Sequence, residues 1–209
     1  NSVTLTIDDA DATIAANELL YTQPNQAGTT LANIAPGPIG AVVSAHNRLW
    51  FNRADQPGSF GFSQEYINGV GLQFNPDLGG ALPLDAGAVV AVAHLDEKII
   101  FMLERKLFVV YGSGPTSSGG FNNYSDPQEI PSDFGCSDAR SVLRLPQGLV
   151  FKSQKGWYLL GRDLATNYIG EGVARWDGQA VQAAALMGDR QEARFVTTGS
   201  LGGVTLVLS

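Results

Sequence analysis

The stretch AVAHLDEKIIF, residues 91–101, consists of two apolar runs separated by the polar pair Asp96-Glu97. Residues of these types predict two antiparallel strands joined by a tight turn. The same plan returns three times without internal gaps. Each copy begins on a small residue followed by an apolar one, has a polar turn in its middle and ends on Phe. The copies are AVVSAHNRLWF (41–51), SVLRLPQGLVF (141–151) and ALMGDRQEARF (185–195).

A third strand is expected after each of these hairpins, and a weaker fourth strand in three of the four units. The third strands are SFGFSQ (59–64), KLFVVYG (106–112), GWYLLG (156–161) and VTLVLS (204–209). The fourth strands are ALPL (81–84), QEIP (128–131) and NYIG (167–170). Three to four antiparallel strands at a period of about 45–50 residues are typical of a β-propeller blade.

The repeat therefore predicts an all-β fold of propeller-like blades, with 1–209 as a single propeller domain or a fragment of one. Antiparallel meanders in a β-sandwich give a similar pattern, so a sandwich or an irregular β-domain is the alternative. Residues 1–40, with strands at VTLTI (3–7) and ELLYTQ (18–23), are expected to complete a neighbouring blade. The blade-like units are expected at about 41–85, 88–131, 139–170 and 180–209.

The bulk composition limits the functions open to this chain of 209 residues. It is 44% hydrophobic and 16% charged, which suits a packed core. The formal charge of −7 argues against gripping nucleic acid with the whole surface, because that binding depends on Lys and Arg displacing counterions. One cysteine allows no intrachain disulfide. No apolar run reaches the roughly 18 residues of a membrane helix, so no membrane insertion is expected. The opening NSVTLT has neither Met nor the pattern of a signal peptide, so the chain is expected to start inside a longer precursor or to have been trimmed.

Residues that often carry chemistry are few and scattered. His46 falls in a turn of the repeat and His94 on a first strand, so both are expected to be isolated surface or strand-end histidines rather than metal ligands. Cys136 has no His beside it and is expected to be a small buried filler. GSGPTSSGG (112–120) lacks the ending of a phosphate-binding loop, and IDDAD (7–11) lacks the spacing of a calcium loop. The sequence therefore predicts no catalytic residue, no cofactor-binding residue and no metal ligand.

The hairpin LVFKSQKGWYLL, residues 149–160, carries two cations close to an aromatic side chain. The repeat places Phe151 on a buried strand and residues 152–155 in the following turn, so Lys152 and Lys155 are expected to be solvated. Replacing both lysines by Ala is expected to leave folding intact, whereas Phe151→Ala is expected to cost about 3–5 kcal/mol.

One part of the chain resembles a known protein family. The stretch SDFGCSDARSVLRLPQGLVFKSQKGWYLLGRDLATNYIG (132–170) is similar to a segment of the tail nozzle or hub proteins of short-tailed bacteriophages, also called packaged-DNA stabilisation proteins. The likeness extends in order over most of residues 18–209. The matching pieces are S-D-x-G-C (132–136), R-S-V (140–142), G-x-x-F-x-S-x-x-G-x-Y-x-L (148–160) and Y-I-G (168–170), with NRLWF (47–51), LFVVYGSGP (107–115) and DRQEARF (189–195) outside that stretch.

The resemblance implies a β-propeller in a non-enzymatic virion protein. Such proteins form a ring, usually of six copies, at the far end of the tail channel, where they retain packaged DNA and release it on infection. It implies other tail proteins as partners, passage of DNA without specific binding, and synthesis in the host cytoplasm. No catalytic residues come with it. The family's proteins are considerably longer, so this chain is expected to hold only some of the blades. The net negative charge would lower friction with DNA by repulsion over roughly 8–10 Å.

Two other functions fit a propeller. One is recognition of host-surface glycans, and the other is glycoside hydrolysis. Solvent-facing Trp50, Trp157 and Trp176 in a groove would favour glycan binding, and burial of these side chains would favour the structural role. A hydrolase would need two carboxylates facing each other at about 5–10 Å.

Overall fold

The computed structural model describes residues 33–69, 71–115, 124–188, 190, 192–200 and 202–208. Within these ranges the strands form four antiparallel sheets that follow one another along the chain. The described helical segments are three short 3₁₀ helices, at Leu84–Ala86, Ala139–Ser141 and Glu171–Trp176. None of them has the length and apolar character needed to cross a membrane. The all-β prediction is confirmed, while closure of the sheets into a ring is not seen in these residues.

Strands that are consecutive in sequence are neighbours in each sheet. The first sheet contains β1 (Ile39–Ala45), β2 (Arg48–Arg53), β3 (Ser59–Phe62) and β4 (Gly79–Ala81). The second contains β5 (Val89–Leu95), β6 (Lys98–Leu103), β7 (Leu107–Tyr111) and β8 (Gln128–Ile130). The third contains β9 (Leu143–Leu145), β10 (Gly148–Ser153), β11 (Gly156–Gly161) and β12 (Thr166–Tyr168). The fourth contains β13 (Ala180–Met187), β14 (Glu192–Thr198) and β15 (Val204–Leu208).

The predicted hairpins and third strands are confirmed, and the fourth strands lie near the predicted positions with different bounds. β8 ends at Ile130, before the Pro131 of QEIP, and β12 covers Thr166–Tyr168 rather than all of NYIG. The largest difference is at ALPL. There, β4 ends at Ala81 and a 3₁₀ helix begins after Pro83. Proline cannot donate to a strand ladder, which explains the earlier end. The segments VTLTI, ELLYTQ and IDDAD lie outside the described residues, as does part of GSGPTSSGG.

Three hydrophobic clusters hold the four sheets together, and we call them the first, second and third junctions. Each junction joins one sheet to the next. The closing Phe of a later sheet is buried in each junction: Phe101 in the first, Phe151 in the second and Phe195 in the third. Phe51, at the same repeat position in the first sheet, is also buried but belongs to none of these clusters. It lies on the opposite face of its sheet, 5.8 Å from the Phe74 ring.

The prediction that Lys152 is a solvated turn residue is wrong. Ser153 pairs with Gly156 and closes a two-residue turn, which leaves Lys152 inside β10, directly opposite Trp157. Lys152 is 7% exposed, whereas Lys155 lies in the turn and is exposed. The hairpin is shorter at its tip than the alignment indicated, because β10 runs two residues beyond Phe151.

Replacing the two lysines one at a time is therefore expected to give unequal effects. Lys152→Ala removes buried methylene groups and should lower the free energy of unfolding by about 1–2 kcal/mol. Lys155→Ala should change it by less than about 0.5 kcal/mol. Urea unfolding of the two variants measures both values. Equal small effects would mean that the Lys152 stem contributes no packing.

Candidate functional site

The first strands of the four sheets lie side by side along one edge of the structure. Each is the terminal strand of its sheet, β1 lies against β5, and β9 lies against β13. Arg144 on β9 reaches β5, where its Nη1 is 3.4 Å from Nδ1 of His94. We call these strands, residues 39–45, 89–95, 143–145 and 180–187, the first-strand edge.

The first-strand edge is built of small and apolar residues. The sequences are IGAVVSA, VVAVAHL, LRL and AVQAAALM, and Arg144 is the single Asp, Glu, Lys or Arg among them. Exposed edge strands in soluble proteins are usually protected by charged side chains or by a covering segment. An edge with so little charge gives a phosphate backbone almost nothing to bind, because binding of nucleic acid depends on Lys and Arg.

His46 and His94 meet at one end of this edge. Their ring centroids are 5.5 Å apart with nearly perpendicular planes, and the His46 ring also stacks on Tyr124 at 6.1 Å. The prediction that the two histidines are isolated is therefore wrong. The turn after β1 carries His46 over the neighbouring β5, a contact between sheets that residue spacing along the chain does not show.

The His46 side chain is enclosed in this contact. It is 9% exposed, and Glu97 Oε2 lies 3.6 Å from its Nε2. Among the residues that the structure describes, neither ring nitrogen has a hydrogen-bond partner. Burial, followed by the positive charge that His94 and Arg48 can place nearby, lowers the pKa of His46 below its usual value, and Glu97 acts in the opposite direction. The folded chain therefore favours the neutral imidazole.

Acidification is expected to destabilise the chain through His46. Because the pKa of His46 is lower in the folded state than the ordinary value of about 6.5, the unfolded chain binds more protons below that pH. The contribution is complete above pH ~6.5 and is lost as the pH falls toward the folded-state pKa. Urea unfolding of the wild type between neutral and mildly acidic pH should show this loss of stability.

The matched variant is His46→Asn, because Asn accepts the left-handed backbone found at His46, where φ is 53°. This variant should lose less stability over the same pH range than the wild type. Parallel pH profiles for the two proteins would contradict the assignment to His46.

Charged side chains at the same end link the second and third sheets. Asp96, in the turn after β5, contacts Arg162 and lies 4.0 Å from Nη2 of Arg144. Arg162 Nε donates to the carbonyl of Pro146 at 2.7 Å, and Lys98 Nζ donates to the carbonyl of Arg162 at 3.3 Å. Arg144, Arg162 and Lys98 are therefore engaged within the protein at this end of the edge.

Two carboxylates line one cavity of about 400 Å³ beside β7 and β8, and both have local partners. Glu129 pairs with Lys106 at 2.8 Å, and Asp163 Oδ1 accepts from the backbone N of Ala165 at 3.0 Å. In the part of the chain that the structure describes, no group of three or more His, Cys, Asp or Glu is placed to hold a metal ion.

The three tryptophans and the cysteine are packing residues to different degrees. Trp50 and Trp157 are buried in the first and third junctions, against Phe62 and Phe195. Trp176 is half-buried. Cys136 is buried in the second junction, as predicted, and burial raises the pKa of its thiol to about 11. Because the thiolate is the nucleophile, this thiol is unreactive at neutral pH.

One feature of the sequence does indicate contacts between the sheets. His94 and Arg144 occupy the same position in consecutive copies of the repeat, AVAH and SVLR. Equivalent positions of adjacent repeats become neighbours when the repeats stack.

No family model matches the chain, and no curated protein matches it either.

Proposed function

We propose that the chain is a non-enzymatic structural protein of a bacteriophage virion, a component of the tail nozzle or hub of a short-tailed phage. Its first-strand edge forms part of the wall of the DNA exit channel. The near absence of charge on that edge is the observation that carries the proposal. DNA carries one negative charge per 1.7 Å or so of its length, and a wall whose strands carry a single cation, Arg144, gives it little to bind.

The proposed architecture is a set of propeller blades. Four consecutive antiparallel sheets, each with its first strand at the shared edge, support it. In a propeller the first strands surround the central channel, and each blade buries its faces against its neighbours. The three junctions supply this kind of packing.

The distribution of charge supports passage of DNA, but not through the repulsion expected from the net charge of −7. The strands of the first-strand edge contain no Asp or Glu, so the acidic residues lie elsewhere on the chain. Low friction then comes from the scarcity of cations at the wall rather than from repulsion by acidic groups. A strongly positive surface along this edge would have opposed the proposal.

The resemblance supplies the rest of the proposed role. The copies assemble into a ring, six in that family, and contact other tail proteins of the virion. They are made in the cytoplasm of the host bacterium, act without a cofactor and do not insert into a membrane.

The packing of the aromatic and acidic residues supports this role over the two alternatives. A glycan-binding surface needs exposed aromatic rings, and Trp50 and Trp157 are buried inside the junctions. A hydrolase needs a free pair of carboxylates, and Glu129 and Asp163 are engaged by Lys106 and by the backbone of Ala165.

Electron microscopy of the native assembly that contains this chain tests the proposal, with a gold-labelled antibody to locate it. The expected result is a ring at the tip of a phage tail, with the label at the channel exit. A free monomer that binds sugars on a glycan array would overturn the proposal, as would a label found on the capsid.

A further inference from the structure

The stack of four sheets has two end faces. The first end face is the side of the first sheet that carries Val42 and, directly opposite it, Phe51. The last end face is the side of the fourth sheet that carries Ala183, Val196 and Val207. Val42, Val196 and Val207 are 49%, 41% and 51% exposed, so both ends present apolar side chains to solvent.

The two end faces are of opposite type, and the three junctions show why. In each junction, the sheet face with the closing Phe packs on the other face of the preceding sheet. Because it carries Phe51, the first end face corresponds to the Phe-bearing side of a junction. The last end face is the side of the fourth sheet that does not carry Phe195, and so it corresponds to the surface that accepts a Phe-bearing sheet.

The first end face has room for a partner. Residues 33–37 and 72–78 cover only part of it, and a cavity of about 360 Å³ remains. The cavity is lined by Ile34, Pro36, Phe51 and Phe74, among others.

One ion pair lies on each end face. Arg53 binds Asp55 at 3.2 Å on the first, and Arg194 binds Glu192 at 2.9 Å on the last. Neither pair adds net charge to its face.

We propose that the last end face of one copy binds the first end face of a second copy, head to tail. The contact continues the interface that the chain already makes three times within itself. A heterologous contact of this kind forms a closed ring where the rotation between copies closes. Two copies bring together eight sheets, within the usual range of about four to eight for sheets packed radially, so this contact would complete one propeller and differs from the six-copy ring of the family that the chain resembles. The proposal does not depend on the virion role.

The competing occupant of these faces is the chain's own segment 1–32. That segment leads into Asn33, whose Oδ1 accepts from the backbone N of Phe74 beside the first end face. If residues 1–32 cover an end face, the chain stays a monomer.

The mass of the 209-residue chain in solution, measured by light scattering during size-exclusion chromatography, separates these cases. We expect at least twice the 22.1 kDa of a single chain. Val42→Glu on the first end face and Val196→Glu on the last should each reduce the mass to that of a monomer. The control is Leu84→Glu, at an exposed apolar residue in the link between the first two sheets, which should keep the wild-type mass.

Mixing the two blocked variants makes the test specific for a head-to-tail contact. Each retains one intact end face, so an equimolar mixture should form a dimer that contains one copy of each variant. A monomeric wild type would overturn the proposal, as would a mixture that stays monomeric or a single blocked variant that still dimerises. Both substitutions lie at exposed positions, so the variants are expected to fold. Circular dichroism of each variant checks this.

Discussion

Replacing Phe151 by Ala is expected to lower the free energy of unfolding by about 3–5 kcal/mol. The side chain is fully buried in the second junction, and its ring centroid lies 6.3 Å from that of Phe134 and 6.2 Å from that of Tyr158. Neighbours on two sheets surround it, so the cavity left by truncation cannot collapse easily. Urea unfolding followed by tryptophan fluorescence measures the change.

Phe51→Ala is the matched control for this prediction. Phe51 has the same residue type, the same repeat position and a similar burial, but it faces away from all three junctions and lines the cavity at the first end face. Measured at a protein concentration at which the chain is monomeric, its truncation should cost less than half as much as that of Phe151. Equal losses for the two variants would show that the repeat position, rather than the junction, determines the contribution to stability.

Gly135→Ala is expected to destabilise the chain at or above the upper end of the roughly 1–3 kcal/mol typical of overpacking. A Cβ atom at this position would lie 1.9 Å from the backbone O of Leu103 and 2.7 Å from the backbone N of Arg105. The loop cannot easily retreat, because the backbone N of Cys136 donates to the same Leu103 carbonyl at 2.8 Å. Thermal unfolding and urea unfolding should both show the loss.

The control for this substitution is Gly172→Ala. Apart from its chain neighbours and the backbone of its own helix, no atom of the described residues lies within 4 Å of a Cβ at Gly172, which belongs to the 3₁₀ helix Glu171–Trp176. There the added methyl group should leave stability unchanged or raise it by up to about 1 kcal/mol, by restricting the unfolded chain. If both variants were equally stable, the loop at Gly135 would have to move freely away from β6.

The strands could be predicted from the sequence because they depend on local patterns. Apolar runs between polar turns identify β5 and β6, and the repeat then identifies the corresponding strands elsewhere. The ends of the strands could be predicted less well, because they depend on turn geometry and on single residues. β4 ends before Pro83, and the pairing of Ser153 with Gly156 places Lys152 within β10.

The candidate site could be predicted much less well, because it depends on contacts between sheets. Residue types along one strand show that β13 has little charge, but not that β13 lies beside β9. The burial of Trp157 likewise depends on Phe195, 4.6 Å away and on a different sheet. Such contacts follow from the stacking of repeats, which the sequence indicates only through equivalent positions.

The arrangement of the junctions also has a consequence for local unfolding. The second and third sheets each take part in two junctions, whereas the first and fourth sheets each take part in one. In a linear array of repeats, stability is approximately a sum of contributions from each unit and from its nearest neighbours. In a single chain that is not joined to a second copy, the terminal sheets can therefore open without the central ones, and backbone amides of β6 and β10 are expected to exchange with deuterated solvent more slowly than those of β3 and β15.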